Sequence, residues 1–400
     1  MTGHNISAKA QSSCDSWAKV VLLVLTGAVA AFQVGKIPLT LKHLQSDLGF
    51  DLVIAGWVAS LFAVIGAGTA ILLSFGVARF GLKRTVVLGL CTSAVASLLG
   101  SLAQDVALLL ITRVFEGLGF ILTVLCLPPL ITQCAPKGQT SAAMAFWAIY
   151  LPLGTCVMLM ISALVLQSGS WRMVWMIAAL ALLVAALLIS RLDLPQPTRS
   201  VPRALQLPAL GRLGWIYLAA LSSCFAVYAA QYYVFVSFLP KILTTSSTTS
   251  IFKMAGITGV FIALNACGNV LSGLLHKAGA ESWLLISVAA VGLMVLCPMV
   301  LADGPLMEIR LGAAALLSLL SGLVPSSLFA ATSRLSVTPE ARAFTNACLV
   351  QASALGQLLG TPLVAFAVSR SEAWSAATPL IWTAAGLILG ATLVMRALSD

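Results

Sequence analysis

The sequence predicts an all-α membrane protein in which twelve transmembrane helices form two related six-helix bundles. Three observations carry that prediction. Of the 400 residues, 60% are hydrophobic and only 8% are charged, whereas a soluble domain carries about 25% charged residues. Twelve apolar runs are long enough to cross a ~30 Å hydrocarbon core, which takes ~20 residues of helix. A polar, proline-rich stretch separates the first six runs from the last six.

The elements follow in order. Residues 1–17 form a polar tail expected on the cytoplasmic side. The first span, 19–41, lacks a small-residue cleavage site behind it and reads as its own targeting signal, with no signal peptide. Spans at 52–75, 86–102, 107–131, 142–166 and 171–190 complete a first bundle over 18–192. The stretch DLPQPTRSVPRALQLPALGR has prolines at 195, 197, 202 and 208. It is the linker, drawn at 193–213. Spans at 216–239, 255–275, 284–301, 311–331, 344–368 and 376–398 build the second bundle, 214–400. Frequent Gly, Ser and Ala suit helices that pack closely in lipid. Pro128, Pro129, Pro152, Pro298, Pro325 and Pro362 are expected where helices flex or end within the membrane. SGLVPSS (321–327) and GQLLGTP (356–362) are the densest such pieces.

The charge pattern sets orientation and excludes several classes. The net charge is +10, and the bases lie in short loops between apolar runs. With the N-terminus inside, the inner loops hold Arg79, Lys83, Arg84, Lys137, Arg191, Arg199, Arg203, Arg212, Lys277, Arg334 and Arg342, and the outer ones far fewer. Both termini are therefore expected in the cytoplasm, with the protein in a bacterial-type inner membrane. No basic patch is interleaved with aromatics, which argues against nucleic acid. The nine cysteines form no CxxC pair and read as small buried hydrophobes, so no disulfide framework, metal site or cofactor is expected.

The two halves echo each other at an offset of roughly 200 residues, as inverted or parallel repeats do in transporters. AAFQVGKIPLTLKHL (30–44) aligns with AAQYYVFVSFLPKIL (229–243), pairing Lys42 with Lys241 and Lys36 with Phe235. Arg113 in the fourth span falls opposite Arg310 at the head of the tenth.

Polar residues recur at helical spacing within the apolar runs. Thr26, Gln33, Lys36, Thr40 and His43 share one side of the first span. Phe225, Tyr228, Gln231, Tyr232 and Phe235 form a stripe on the seventh, Asn265, Asn269, Ser272 and His276 on the eighth, and Asn346, Ser353 and Gln357 on the eleventh. Each stripe has two readings: the lining of a polar path, or amide and hydroxyl pairs that join helices. Lys36 in FQVGKIPLT likewise has two. It either faces a cavity and holds substrate, or snorkels from a site ~24 Å along the helix from Val20 to the outer interface. A phosphate-loop role fails, because Ala30 stands where a second glycine is needed and Ile37 where a hydroxyl is needed. Arg113 and Glu116 stand at i, i+3 and are expected to pair. Glu116 is the one carboxylate well inside a span. Burial favours its neutral form and a guanidinium favours its ionised form, so its state stays open at this point.

The loop SFGVARFGLKR (74–84), RVFEGLG (113–119), YLPLG (150–154) and WRMVW (171–175) together resemble the major facilitator superfamily of secondary transporters, over nearly the whole chain. In the family's loop signature, Arg79, Gly81, Lys83 and Arg84 fit, while Ala78 occupies the acidic position and Ser74 the leading glycine. The resemblance implies two bundles that rock around a central cavity. It also implies a cytoplasmic latch through the missing acid, which Ala78 cannot supply. In proton-coupled relatives the arginine of RVFEGLG tunes a membrane acid, which makes Glu116 the proton-carrying candidate.

The expected function is secondary transport of a small organic solute, anionic by the balance of Lys36 and Arg113 against Glu116. Gln33, Lys36, Arg113, Tyr228, Gln231, Tyr232, Asn346 and Gln357 are the expected substrate contacts. Each chain carries both halves and is expected to work as a monomer in the bilayer. The alternative keeps the fold and exports amphipathic drugs or secreted metabolites such as siderophores. An enzyme is not expected, since the three histidines have no carboxylate cluster and no serine nucleophile pairs with them. The absence of a nucleotide loop likewise argues against an ATP-driven pump.

Overall fold

A backbone in lipid has no water to satisfy its N–H and C=O groups, so apolar runs of this length fold as helices. The computed structural model describes residues 16–167, 169–194, 210–243, 250–302, 306–335, 339–371 and 373–398, with side chains at 74–79, 141 and 339–343 left out. Among these residues no strand forms, and twelve helices are long and apolar enough to cross a membrane. They run Trp17–Leu48, Leu52–Leu73, Leu82–Ser101, Val106–Cys134, Ala142–Val165 and Trp171–Arg191, then Arg212–Ile242, Ile251–Lys277, Ser282–Leu301, Met307–Arg334, Phe344–Ser369 and Trp374–Ala397. All twelve expected spans are present. Several are longer than lipid requires, because the helices continue past the apolar stretch: the seventh has 31 residues and the first 32. The tail over 1–15 and the linker over 195–209, with Arg199 and Arg203, lie outside the described residues.

The prolines divide into two groups. The first span breaks after Ala30 and again at Lys36, and resumes as Ile37–Leu48 with Pro38 in its first turn. The fifth breaks after Trp147 and resumes at Tyr150, with Pro152 third. The tenth breaks at Gly322 and resumes at Leu323, with Pro325 third. A proline in the first turn lacks an N–H where none is needed, so these three mark restarts. Pro128, Pro129, Pro298 and Pro362 sit inside unbroken helices instead.

Proximity groups the chain into two compact units: 1–36 with 72–204, and 37–71 with 205–400. The chain therefore passes from one to the other between Lys36 and Ile37, at the break in the first span. In the first unit the third and fourth spans cross where Gly89 meets Gly119; a side chain on Gly119 would overlap Gly89 O and Ser93. A buried apolar layer that includes Leu23, Leu90, Leu127, Leu130 and Leu182 packs within this unit.

In the second unit the seventh and eleventh spans run side by side. Trp215 meets Phe344 with ring centroids 6.0 Å apart. Further along, Gly356 packs on Ala226 and Gly360 on Ala230. The second span joins them, with Thr361 Oγ1 donating to Gly56 O at 3.0 Å and Ile71 N donating to Gln351 Oε1 at 3.2 Å. Arg310, expected to echo Arg113, does a different job. It is buried and donates to Val300 O at 3.0 Å and Ile242 O at 2.8 Å, tying together the ends of the ninth and seventh spans.

Candidate functional site: a buried ion cluster and an aromatic stripe

Three helices of the first unit bring an ion cluster together. Pro38 cannot donate to the carbonyl four residues back, and the helix stops at Lys36. Beside that break the carbonyl of Gln33 accepts from Arg113 Nη1 at 3.3 Å. The close Gly89–Gly119 crossing sets the third span against the fourth, and Ser93 Oγ donates to the Glu116 carbonyl at 3.0 Å. Four residues on, Ser97 reaches the Glu116 side chain.

The geometry is that of a carboxylate held between two cations. Lys36 Nζ lies 2.6 Å from Glu116 Oε1, and Arg113 Nη1 lies 2.5 Å from Glu116 Oε2. Ser97 Oγ donates to Oε1 at 2.7 Å and accepts from Lys36 Nζ at 3.1 Å and from Gln33 Nε2 at 2.9 Å. Lys36 Nζ also stands 4.3 Å from the ring centre of Trp175 on the sixth span, a cation–π contact. Gln33, Lys36, Ser97, Arg113, Glu116 and Trp175 are all 0% exposed. With all three groups in their ordinary ionised forms, two cations and one carboxylate enclose one net positive charge.

This arrangement answers the question of where the Lys36 amine goes. It does not reach toward an interface; Glu116 holds it inside. In this conformation it is also closed off from solvent, so any solute that meets Lys36 must replace the carboxylate. Ser97 and Trp175 are members of the cluster that the polar stripes did not reveal. Ser93, Ser97 and Ser101 do recur at i, i+4 and i+8, a signal of the same kind on a helix whose serines read as packing.

The second unit presents an aromatic stripe. Tyr228 and Tyr232 stack with centroids 5.9 Å apart, Tyr232 continues onto Phe261 at 6.4 Å, and Phe235 stacks on Phe261 at 5.6 Å. Phe235, the counterpart of Lys36, is thus an apolar packing residue. Tyr228 Oη donates to Asn265 Oδ1 at 2.9 Å. The Nε2 of Gln231 on this helix is buried without a hydrogen-bond partner among the described residues. Gln357 donates to Ser353 Oγ at 3.2 Å. Asn346 is not part of this group. It lies two residues from Phe344, level with Trp215, whereas Gln231 follows Ala230, level with Gly360. The 14 residues from 346 to 360 correspond to ~21 Å of helix, so Asn346 and Gln231 cannot hold one small group together.

The eighth-span stripe is a seam within the second unit. Asn265 Nδ2 donates to Ser321 Oγ at 3.1 Å, Ser326 Oγ donates to Asn269 Oδ1 at 3.1 Å, and Ser272 meets Ser327 at 3.0 Å. His276 also reaches Ser327, at 3.2 Å. These groups satisfy one another across the eighth and tenth spans, which is the helix-joining use of polar residues in lipid.

In the loop signature, Gly81 has φ +84° and starts the third span. Any other residue is strained there, so Gly81 forms the tight turn. Lys83 is half-buried and Arg84 exposed; the side chains of Ala78 and Arg79 lie outside the described residues.

The chain resembles known transporters along most of its length. Residues 23–361 match the family described as the Major Facilitator Superfamily. The lincomycin resistance protein of Streptomyces lincolnensis is 24% identical over 188 residues, which cover 46% of this chain and 39% of that protein. The galactose-proton symporter of Escherichia coli K12 is 23% identical over 181 residues, 44% of this chain and 38% of that protein. The chain thus spans about two fifths of the length of these curated relatives. The crystal structure of a D-xylose-proton symporter has the same fold, with TM-score 0.73 at 15% identity over 95% of this chain and 97% of that one.

Proposed function

This chain belongs to the major facilitator superfamily, and on that premise we propose that it is a secondary transporter moving a small organic anion together with a proton. The family and fold are those of transporters that move small molecules across a membrane. The observation that carries the finer reading is the enclosed Lys36–Glu116–Arg113 cluster, with its single net positive charge.

Charge accounting supplies the coupling. Breaking a buried ion pair by removing one partner costs about 3–5 kcal/mol, because the other charge is left uncompensated. Protonation of Glu116 alone would leave Lys36 and Arg113 unopposed. Glu116 already occupies Lys36 Nζ and Arg113 Nη1, so an anion takes those positions only when Glu116 leaves them as a neutral acid. When both happen, the solute's carboxylate takes the place of Glu116 and the cluster again carries one positive charge. The empty and fully loaded states then carry the same enclosed charge, and protonation without the anion is penalised, which ties proton uptake to anion binding. Transport of one proton with one monovalent anion is electroneutral. Within the second unit, the rings of Tyr228 and Tyr232 suit a planar or apolar group and the Gln231 amide suits an acceptor.

Loop charges support cytoplasmic termini in a bacterial inner membrane, and the presence of both bundles in one chain supports a functional monomer. A thermal-shift screen of purified protein against small carboxylic acids at two pH values tests the reading. Acids that stabilise the wild type more at the lower pH, and fail to stabilise Lys36→Ala, are expected. Equal stabilisation of both proteins would overturn it. A second reading, export of amphipathic compounds, is favoured by the aromatic stripe alone; a toxic-compound growth panel separates the two.

A further inference from the structure

We propose that Trp175 is a positioning residue of the transport site, whose ring face holds the Lys36 ammonium while Glu116 and the solute exchange places. The proposal rests on the coupling proposed above. It gives a role to WRMVW, the start of the sixth span. Trp171 and Trp175 stand at i, i+4 and so share one side of that helix. Both are buried, Trp175 with 0% exposure.

The ring is held as a platform. Lys36 Nζ lies over it, 4.3 Å from its centre. Trp171 packs against it edge to face, with centroids 5.3 Å apart and planes at 85°. Trp171 is anchored in turn by Arg172, whose guanidinium stacks on it at 4.4 Å and donates to Ala103 O at 2.9 Å. The indole edge meets Gly100 on the third span. A Cβ there would stand 3.0 Å from Trp175 Cδ1 and 3.1 Å from Nε1, so the glycine makes room for the ring.

The indole nitrogen shows what this tryptophan is not for. Nε1 is buried without a hydrogen-bond partner among the described residues, and a buried donor left unpaired costs stability. Phenylalanine or leucine would fill the seat without that cost. Tryptophan adds the ring face that attracts a cation most strongly.

That attraction counts most when the carboxylate is gone. In this conformation the ring faces an ion pair, because Glu116 Oε1 lies 2.6 Å from the ammonium. The negative face of the ring attracts the ammonium and repels the carboxylate. Once Glu116 takes a proton and lets go, the face meets a bare ammonium, and Arg113 on the fourth span repels it. The third span offers Lys36 the uncharged hydroxyl of Ser97. The fifth packs on Gly35 through Thr155 and Met158 and carries no charged residue. A contact that is stronger during the exchange than in the resting state speeds the exchange.

Tryptophan analogues with one to four ring fluorines, placed at position 175 by nonsense suppression, weaken the face stepwise and barely change its size. Thermal unfolding of the detergent-purified full chain reads the effect in Glu116→Gln, wild type and Lys36→Ala. In Glu116→Gln the ammonium is bare, and the unfolding temperature should fall with each fluorine, by about 4 °C at four. The fall should be shallower in the wild type and absent in Lys36→Ala. A slope in Glu116→Gln no steeper than in the wild type would overturn the proposal. So would equal slopes in the wild type and Lys36→Ala, since fluorine would then act on packing alone. This second comparison decides the matter by itself if Glu116→Gln is not recovered folded. No transported solute enters these measurements, so this proposal and the coupling reading fail on different results.

Discussion

Removing Glu116 and removing Lys36 have unequal consequences for stability. Glu116→Gln keeps the shape of the side chain and deletes its charge. Lys36 and Arg113 then face each other without a counter-ion at positions that are 0% exposed. Loss of one partner from a buried pair costs about 3–5 kcal/mol, a large part of a total stability of roughly 5–15 kcal/mol. Lys36→Ala leaves Glu116 with Arg113 at 2.5 Å and Ser97 at 2.7 Å. The remaining pair is neutral and bonded, so the loss is that of hydrogen bonds to a charged group, about 1.5–3 kcal/mol. Thermal unfolding of the detergent-purified variants reads this difference. Glu116→Gln should unfold at the lowest temperature and Lys36→Ala in between. The double variant keeps one buried cation, as the wild type's net charge does, and should be more stable than Glu116→Gln alone. If the double variant is less stable than Glu116→Gln, or if Lys36→Ala is the least stable of the set, the charge accounting behind the proposed coupling is wrong.

Other expectations follow from the same structure. Gln231→Ala removes an amide whose nitrogen has no hydrogen-bond partner among the described residues, so the unfolding temperature should hold while KM for the transported solute rises. Tyr228→Phe deletes the donor to Asn265 and should cost ~1 kcal/mol of stability, read by the same unfolding assay. Gly81→Ala forces a side chain onto φ +84° and should cost about 1–3 kcal/mol, measurable as a lowered unfolding midpoint with substrate affinity unchanged. In proteoliposomes, Glu116→Gln should lose proton-driven accumulation and keep exchange of solute across the membrane; undiminished accumulation would remove Glu116 from the coupling.

Much of the fold was legible because its signals are local. Twelve apolar runs of sufficient length name twelve helices, and Pro38, Pro152 and Pro325 each sit just past a break. The pairing of Arg113 with Glu116 was legible for the same reason, since three residues on one helix are neighbours. The Lys36–Glu116 pair was not, because 80 positions separate the partners and nothing in a single helix says which other helix its polar face meets. The rotation of the third span against the fourth, set by Gly89 and Gly119, decides that Ser97 joins the cluster. The same ambiguity affected the eighth span, whose amides look like those of the seventh. Asn265 and Asn269 found serines on the tenth span, while Gln231 Nε2 found no partner among the described residues. Asn346 shared a stripe with Gln357 on a helical wheel, yet a wheel discards the axial distance that separates it from Gln231. Arg310 aligned with Arg113 in sequence and closes helix ends instead, because it stands at the head of its span beside two unsatisfied carbonyl ends.

Electroneutral, acid-dependent uptake of a carboxylate is the consequence that bears most directly on the proposed coupling. Wild-type protein in proteoliposomes, supplied with small monocarboxylates or their uncharged amides, separates the driving forces. A pH gradient with the voltage clamped at zero should accumulate a carboxylate and not its amide, and a voltage without a pH gradient should accumulate neither. Accumulation driven by voltage alone, or equal accumulation of the amide, would contradict a carrier in which the solute's carboxylate exchanges places with Glu116.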